Sequence, residues 1–176
     1  SMKPTLLIGD HLLVNKFIYG IKIPFIDHYI IQLKKPKRGD IVVFKWPKDE
    51  SKDFIKRVVG ISGDRIEIRR DALYANDRKI ETKLIGKYSD QMISQADKFQ
   101  EQFGESNHYI LDEYVRNENF GPVTVPKNSI FVMGDNRDNS QDSRYWGFVS
   151  LNKVKGKALI IYWSWPNWKR FLNVIK

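Results

Sequence analysis

The chain has 176 residues, 41% hydrophobic and 13% aromatic, enough apolar content for a packed core and too much for a disordered tail. It contains no cysteine, which excludes disulfides and cysteine-based metal sites. A total of 30 lysines and arginines against 21 acidic residues leaves a net charge of +9, a balance that favours nucleic acid or an anionic membrane surface as partner.

In chain order, LLIGDHLLVNKF, GDIVVFKW, FIKRVVGI and DRIEIRR are short, rich in Val, Ile and Phe, and bounded by Gly, Pro, Asp or Asn, which reads as strands. RIEIRR alternates apolar and charged residues, as a strand with one wet face does. From about Asp71 to Gly121 the chain turns polar, rich in Asn, Gln, Lys and Glu. Within that stretch YSDQMISQADKFQEQFGE is weakly periodic and reads as a short helix or loop. Strand signals return with GPVTVP, SIFVMGD and ALIIYW. The pattern predicts a mostly β, antiparallel protein, with residues 1–70 and 122–176 forming one β core and 71–121 an inserted, smaller β/loop cap. No apolar run approaches the ~18–20 residues that cross a bilayer, and no signal-peptide pattern or internal repeat is present.

Two constellations carry chemistry. Lys56 is flanked by Phe54, Ile55, Val58 and Val59, in a segment that reads as a buried strand. A lysine there either snorkels to water or, desolvated by its neighbours, drops from ~10.4 toward neutrality and becomes a base. The second is GDNRDNSQDSRYWG, residues 134–147, where turn formers and charges sit between two strands. It lacks the acidic ladder and distal Glu of an EF-hand, so alternating Asp and Arg are read as ion pairs that fix a loop, and no metal or other cofactor is expected. His11, His28 and His108 stand apart without metal-like spacing and read as surface or packing residues. No Ser-His-Asp triad has support, which leaves Ser-Lys as the variant available to a nucleophilic serine.

Four ordered segments then make a resemblance specific: Ser1-Met2-Lys3-Pro4-Thr5-Leu6, KRGDIVVF at 37–44, FIKRVVG at 54–60 and the box at 134–147. Together they resemble the ordered boxes of bacterial type I signal peptidases, and they frame residues 1 to about 65 and about 122 to 150. The resemblance implies a signal-peptidase-like β fold, with Ser1 as nucleophile, Lys56 as general base and Ser140 orienting that lysine. It implies supporting pairs Arg57–Asp135 and Arg144–Asp142. A shallow substrate cleft would be lined by Met2, Leu6, Leu12, Val43 and Ile55, with Asp53 at its edge. The substrate would be an extended secretory precursor with small residues of the Ala-x-Ala type before the cleaved bond, processed at the outer face of the bacterial inner membrane. The family's oxyanion hole uses the nucleophile's own N–H and a hydroxyl two residues upstream, so a chain beginning at Ser1 is expected to turn over more slowly than one extended upstream. Alternative readings are a non-catalytic relative that binds signal peptides or membrane, and a self-cleaving repressor-type Ser-Lys peptidase.

At the C-terminal end, YWSWPNWKR places Trp163, Trp165 and Trp168 close together ahead of Lys169 and Arg170. Trp163 reads as core packing, while Trp165 and Trp168, around Pro166, suit an interfacial belt. With the net charge of +9 this favours anionic lipid over nucleic acid.

Overall fold

The computed structural model describes residues 1–22, 29–31, 33–103, 106–165 and 167–175; His28 and Pro166 lie outside them. In chain order the strands are β1 (Asp10–Asn15), β2 (Ile21–Lys22), β3 (Tyr29–Ile31), β4 (Ile41–Trp46), β5 (Asp49–Ile61), β6 (Arg65–Arg69), β7 (Ala72–Ala75) and β8 (Arg78–Lys79). They continue as β9 (Glu81–Tyr88), β10 (Ala96–Phe103), β11 (Ser106–Asp112), β12 (Phe120–Thr124), β13 (Ser129–Met133), β14 (Val149–Ser150), β15 (Val154–Ser164) and β16 (Asn173–Val174). The pairings between these strands are antiparallel, as the short strand runs predicted.

The main sheet runs β1-β15-β4-β5-β13-β14, with β16 on β15. In β13 four successive residues, Ile130 to Met133, are buried, because both faces of the sheet are covered there. Successive side chains point to opposite faces. Val58, Ile130 and Val132 therefore pack with Val42, Phe44 and Val154 on one side. Val59, Phe131 and Met133 pack on the other against Ile66, Ile68, Leu73 and Val125. That second layer comes from the sheet β12-β6-β7-β8. Within residues 71–121, β7 and β8 extend the sheet of β6, whereas β9, β10 and β11 form a sheet of their own.

Three expectations are corrected. Of the segment read as helix or loop, 88–105, residues 89–95 are loop, but Tyr88 ends β9 and Ala96–Phe103 form β10, the central strand of the three-stranded sheet; 104 and 105 lie outside the described residues. The strand character of β10 comes from pairing on both sides, Ala96 with Tyr88 and Asp97 with Asp112 among others, which no local periodicity encodes. Second, LLIGDHLLVNKF yields only Asp10–Asn15 as strand. Ahead of it the chain turns, with Leu6 N donating to Met2 O at 2.9 Å and Leu7 N donating to Asp10 Oδ2 at 2.8 Å. Third, Trp163 is not core: it is 38% exposed, and its ring meets Trp168 edge-on at 4.5 Å between centroids. It lies on the outer strand pair, opposite the exposed His11 of β1. Among the described residues no helix is long and apolar enough to cross a membrane.

Candidate active site

Lys56 sits in the buried half of β5, where Lys56 to Gly60 are all covered. Its Nζ lies 2.8 Å from Ser1 Oγ and 3.2 Å from the Ile55 carbonyl. Burial lowers its ammonium to about 8, against the opposing pull of Asp142 and then Asp135. The snorkelling alternative is thereby excluded, since the residue is only 4% exposed. At neutral pH a useful fraction of such a lysine is unprotonated, so it is able to accept a hydroxyl proton.

Around this pair the 134–147 box folds back on the chain start. Asn136 N donates to the Ser1 carbonyl at 2.9 Å, and Thr5 Oγ1 donates to Asp135 Oδ2. Asp135 is fully buried and receives Arg57 Nε and Nη2 at 2.8 Å each, a forked pair that holds β5 to the box. Burial raises the Asp135 carboxyl, but the Arg57 charge and hydrogen bond outweigh it and keep it ionised. Arg57 Nη1 also donates to the Gly39 carbonyl. Asp142 caps the short helix α1 (Ser143–Trp146), accepting from Arg144 N and from Arg144 Nε and Nη2. It also accepts from Gly134 N at 3.1 Å, closing the box into a loop. Both expected supporting pairs are thus present as contacts.

Gly134 is where this loop passes closest to the site. A Cβ there would lie 2.3 Å from Ser140 Oγ and 2.5 Å from Ser1 O, so no other residue fits without displacing Ser140 or the Ser1 backbone. Ser140 itself is buried beside the pair, but its Oγ has no hydrogen-bond partner among the described residues. The expected orienting contact from Ser140 to Lys56 is not made: Lys56 Nζ bonds Ser1 Oγ and the Ile55 carbonyl instead.

A cleft of about 600 Å³ opens over these groups, lined by Ser1, Asp53, Phe54, Ile55, Lys56, Ser140 and Tyr145, with Arg116 on its wall. Asp53 is exposed at this cleft and pairs with Lys155 at 2.7 Å. Of the apolar residues expected to line it, Ile55 does so. Met2 and Leu6 are buried, packing with Ile41, Ala158 and Ile161, while Leu12 and Ile55 cover that cluster. Met2 and Leu6 are core residues of that cluster and do not line the cleft. Val43 is half-buried on β4, directly opposite Ile55 on β5. Phe54, Asn136, Arg116 and Tyr145 were given no role on sequence grounds. Asn136 and Tyr145 stand inside the quoted box and Phe54 beside Ile55, whereas Arg116 carries no sequence signal. Among the described residues no group of three or more His, Cys, Asp or Glu side chains is arranged to hold a metal ion.

A serine hydroxyl in hydrogen-bond contact with a buried lysine, on an antiparallel β scaffold, is the arrangement of the Ser-Lys hydrolase type of site. Residues 1–163 match the family described as Signal peptidase, peptidase S26. Signal peptidase I of Pseudomonas fluorescens is 42% identical over 94% of this chain and 63% of its own length. That of Pseudomonas aeruginosa is 41% identical over 95% and 63%, and that of Aquifex aeolicus 35% identical over 93% and 73%. The chain therefore belongs to the signal peptidase family, peptidase S26, and spans 63% of the length of the two Pseudomonas relatives. The solved signal peptidase I of Enterococcus faecalis V583 aligns over 70% of this chain and 97% of its own, at 28% identity and a TM-score of 0.43.

Proposed function

We propose that this chain is the catalytic part of a membrane-associated serine endopeptidase that removes N-terminal signal peptides from exported precursors, with Ser1 as nucleophile and Lys56 as general base. The observation that carries this reading is the 2.8 Å contact between Lys56 Nζ and Ser1 Oγ, with the lysine brought down to about 8 by burial. Neutral Lys56 takes the Ser1 hydroxyl proton as Oγ attacks the scissile carbonyl carbon. The resulting ammonium gives that proton to the leaving amine as the C–N bond breaks. Lys56, neutral again, takes a proton from water, whose oxygen attacks the ester, and returns it to Ser1 Oγ. Arg57–Asp135 and Arg144–Asp142 act as supports, and Ser140 acts as a wall of the lysine pocket. The precursor binds extended along the cleft edge, its small side chains entering beside Ile55, which covers the cluster of Met2 and Leu6, with Asp53 at the rim. In this arrangement the part of residues 71–121 that stands as an inserted subdomain is the sheet of β9, β10 and β11, while β7 and β8 stay with the core.

The surface around β15 supports a membrane setting at the outer face of the bacterial inner membrane. Trp165 and Trp168 are 62% and 54% exposed, and Tyr162, Phe171, Leu172 and Val174 are exposed beside them. The exposed Lys169 follows directly, while Arg170 is held by the Asp10 carboxylate, so apolar rings and an ammonium present together, as binding to an anionic interface requires.

The test is cleavage, in detergent, of a synthetic precursor peptide carrying Ala-x-Ala before the scissile bond. The wild type cleaves it. Ser1→Ala and Lys56→Arg both fall below about a hundredth of that rate, because arginine keeps the charge and cannot serve as a base. Retention of more than about a tenth by Lys56→Arg would remove Lys56 from the mechanism.

A further inference from the structure

The Gly134–Asp142 stretch bonds Ser1 through Asn136 N and lines the cleft beside Lys56 with Ser140, and it is anchored in turn by the three-stranded sheet. Asn136 forms a parallel bridge with Leu111 of β11. Leu111 N donates to Asp135 O at 2.8 Å and Arg137 N donates to Leu111 O at 2.9 Å, so residues 135–137 are pinned to β11 through one isolated bridge. The N–H of the same Asn136 fixes the Ser1 carbonyl. One residue further, Arg137 Nη2 donates to Glu101 Oε2 on the central strand β10 at 2.5 Å. Glu101 is fully buried, and His108 Nε2 of β11 lies 3.1 Å from the same oxygen.

Burial raises the Glu101 carboxyl, but the charge of Arg137 and the hydrogen bonds from His108 and Arg137 hold it at about 2. Burial also lowers the His108 imidazolium, so at neutral pH the cation facing Glu101 is Arg137. A carboxylate at this depth depends on that partner, because a bare buried charge is costly. The guanidinium is correspondingly tied to one place, and with it the backbone on which Asn136 and Ser140 sit. Glu101 is absent from the cleft lining and touches neither Ser1 nor Lys56 through any hydrogen bond or ion pair described.

We infer that Glu101 is a positioning residue: through Arg137 it holds the Gly134–Asp142 stretch in the register that fixes Ser1 and covers Lys56. This rests on the reading of Ser1 and Lys56 as nucleophile and base, and it gives the polar middle segment a task in catalysis.

The test reads Lys56 directly, by NMR titration of its ¹³Cε in the whole chain, alongside cleavage of the precursor peptide. Glu101→Gln keeps the shape and an acceptor oxygen and loses the charge. With the stretch loosened, water reaches the ammonium. Desolvation is the larger influence on Lys56, so its midpoint rises, by at least about half a pH unit. In the same variant kcat falls about tenfold while KM stays within about twofold, as expected when the reacting groups and not substrate contacts are displaced. Adding Arg137→Gln sets two neutral amides face to face, and the double variant returns the midpoint to within about 0.2 of wild type and recovers most of kcat. A wild-type midpoint and kcat in Glu101→Gln, with only a lower melting temperature, overturns the inference and leaves the pair as packing. Should Glu101→Gln not fold, Arg137→Lys keeps both charges and replaces the rigid planar guanidinium, which meets Glu101 through Nη2, by a flexible ammonium. It is expected to raise the midpoint in the same way, and an unmoved midpoint overturns the inference. Because the midpoint is read without substrate, an inactive wild type counts against the peptidase reading, and an unmoved midpoint counts against this one.

Discussion

Lys56 is held in surroundings that disfavour its charge, and the sign of that cost is visible in pH. In the unfolded chain a lysine titrates near ~10.4, whereas in the fold burial brings Lys56 to about 8. Below about 8 both states carry the proton and the folded state bears the full penalty. Between there and ~10.4 the unfolded state binds more protons, so stability rises with pH. Lys56→Met is therefore expected to stabilise the protein at pH 7 by on the order of 2 kcal/mol, with the gain shrinking toward pH 10. Urea unfolding at the two pH values measures it, and a gain independent of pH would contradict the assigned pKa. The same value sets the rate profile. The logarithm of kcat/KM should climb with unit slope below about pH 8 and flatten above it, as the free enzyme's base loses its proton. A bend above pH 9.5 would mean an ordinary, hydrated lysine.

At this scale the sequence showed a good deal. A lysine between Ile55 and Val58 stands out as a candidate base, and that much is local. The failure of Ser140 to reach Lys56 is not local. It depends on the path of a loop whose ends are fixed by Arg57 and Arg144.

The box at 134–147 behaves as a strap, pinned by Asp135 to Arg57, by Asp142 to Arg144 and Gly134, and by Asp138 to the backbone N–H groups of Glu113 and Tyr114. The expectation that its charges form ion pairs holds, but most partners lie on other elements: β5, β10 and the segment after β11. Asp135→Asn leaves Arg57 without its carboxylate in the interior, at a cost of roughly 3–5 kcal/mol. Denaturant unfolding at pH 7 checks this, and a loss under about 1 kcal/mol would show that water had entered to solvate Arg57. Gly134→Ala is expected to leave the fold near wild type and to lower cleavage at least about a hundredfold, because the added methyl group meets the Ser1 carbonyl at 2.5 Å and Ser140 Oγ at 2.3 Å. Circular dichroism with the peptide assay separates the two effects. A folded, fully active Gly134→Ala would show that the chain start gives way freely.

Across the whole molecule, one side carries the cleft and the C-terminal aromatic residues stand out from the end of β15. Trp165 meets Trp168 edge-on at 5.8 Å, so the exposed rings brace each other outside the core clusters. Variants retaining only Trp165 or only Trp168 are expected to show a blue shift in fluorescence with vesicles of anionic lipid, weakened by salt because part of the attraction is the net charge of +9. No shift at either position would leave this surface without a membrane role.

The sequence by itself determined the antiparallel β class and singled out Ser1, Lys56 and the box at 134–147 as candidates for chemistry, leaving open whether Lys56 is buried or reaches water, because apolar runs and turn residues act locally and the motifs keep their residues in order. Only the tertiary structure decided that 96–103 is a central strand, that Met2 and Leu6 are buried, that Trp163 faces outward and that Glu101 is tied to Arg137. Each of these depends on what lies across a sheet or beneath a loop, at sequence separations of tens of residues. Pairing partners and burial at that range are set by the packed whole, and no window of the sequence contains them.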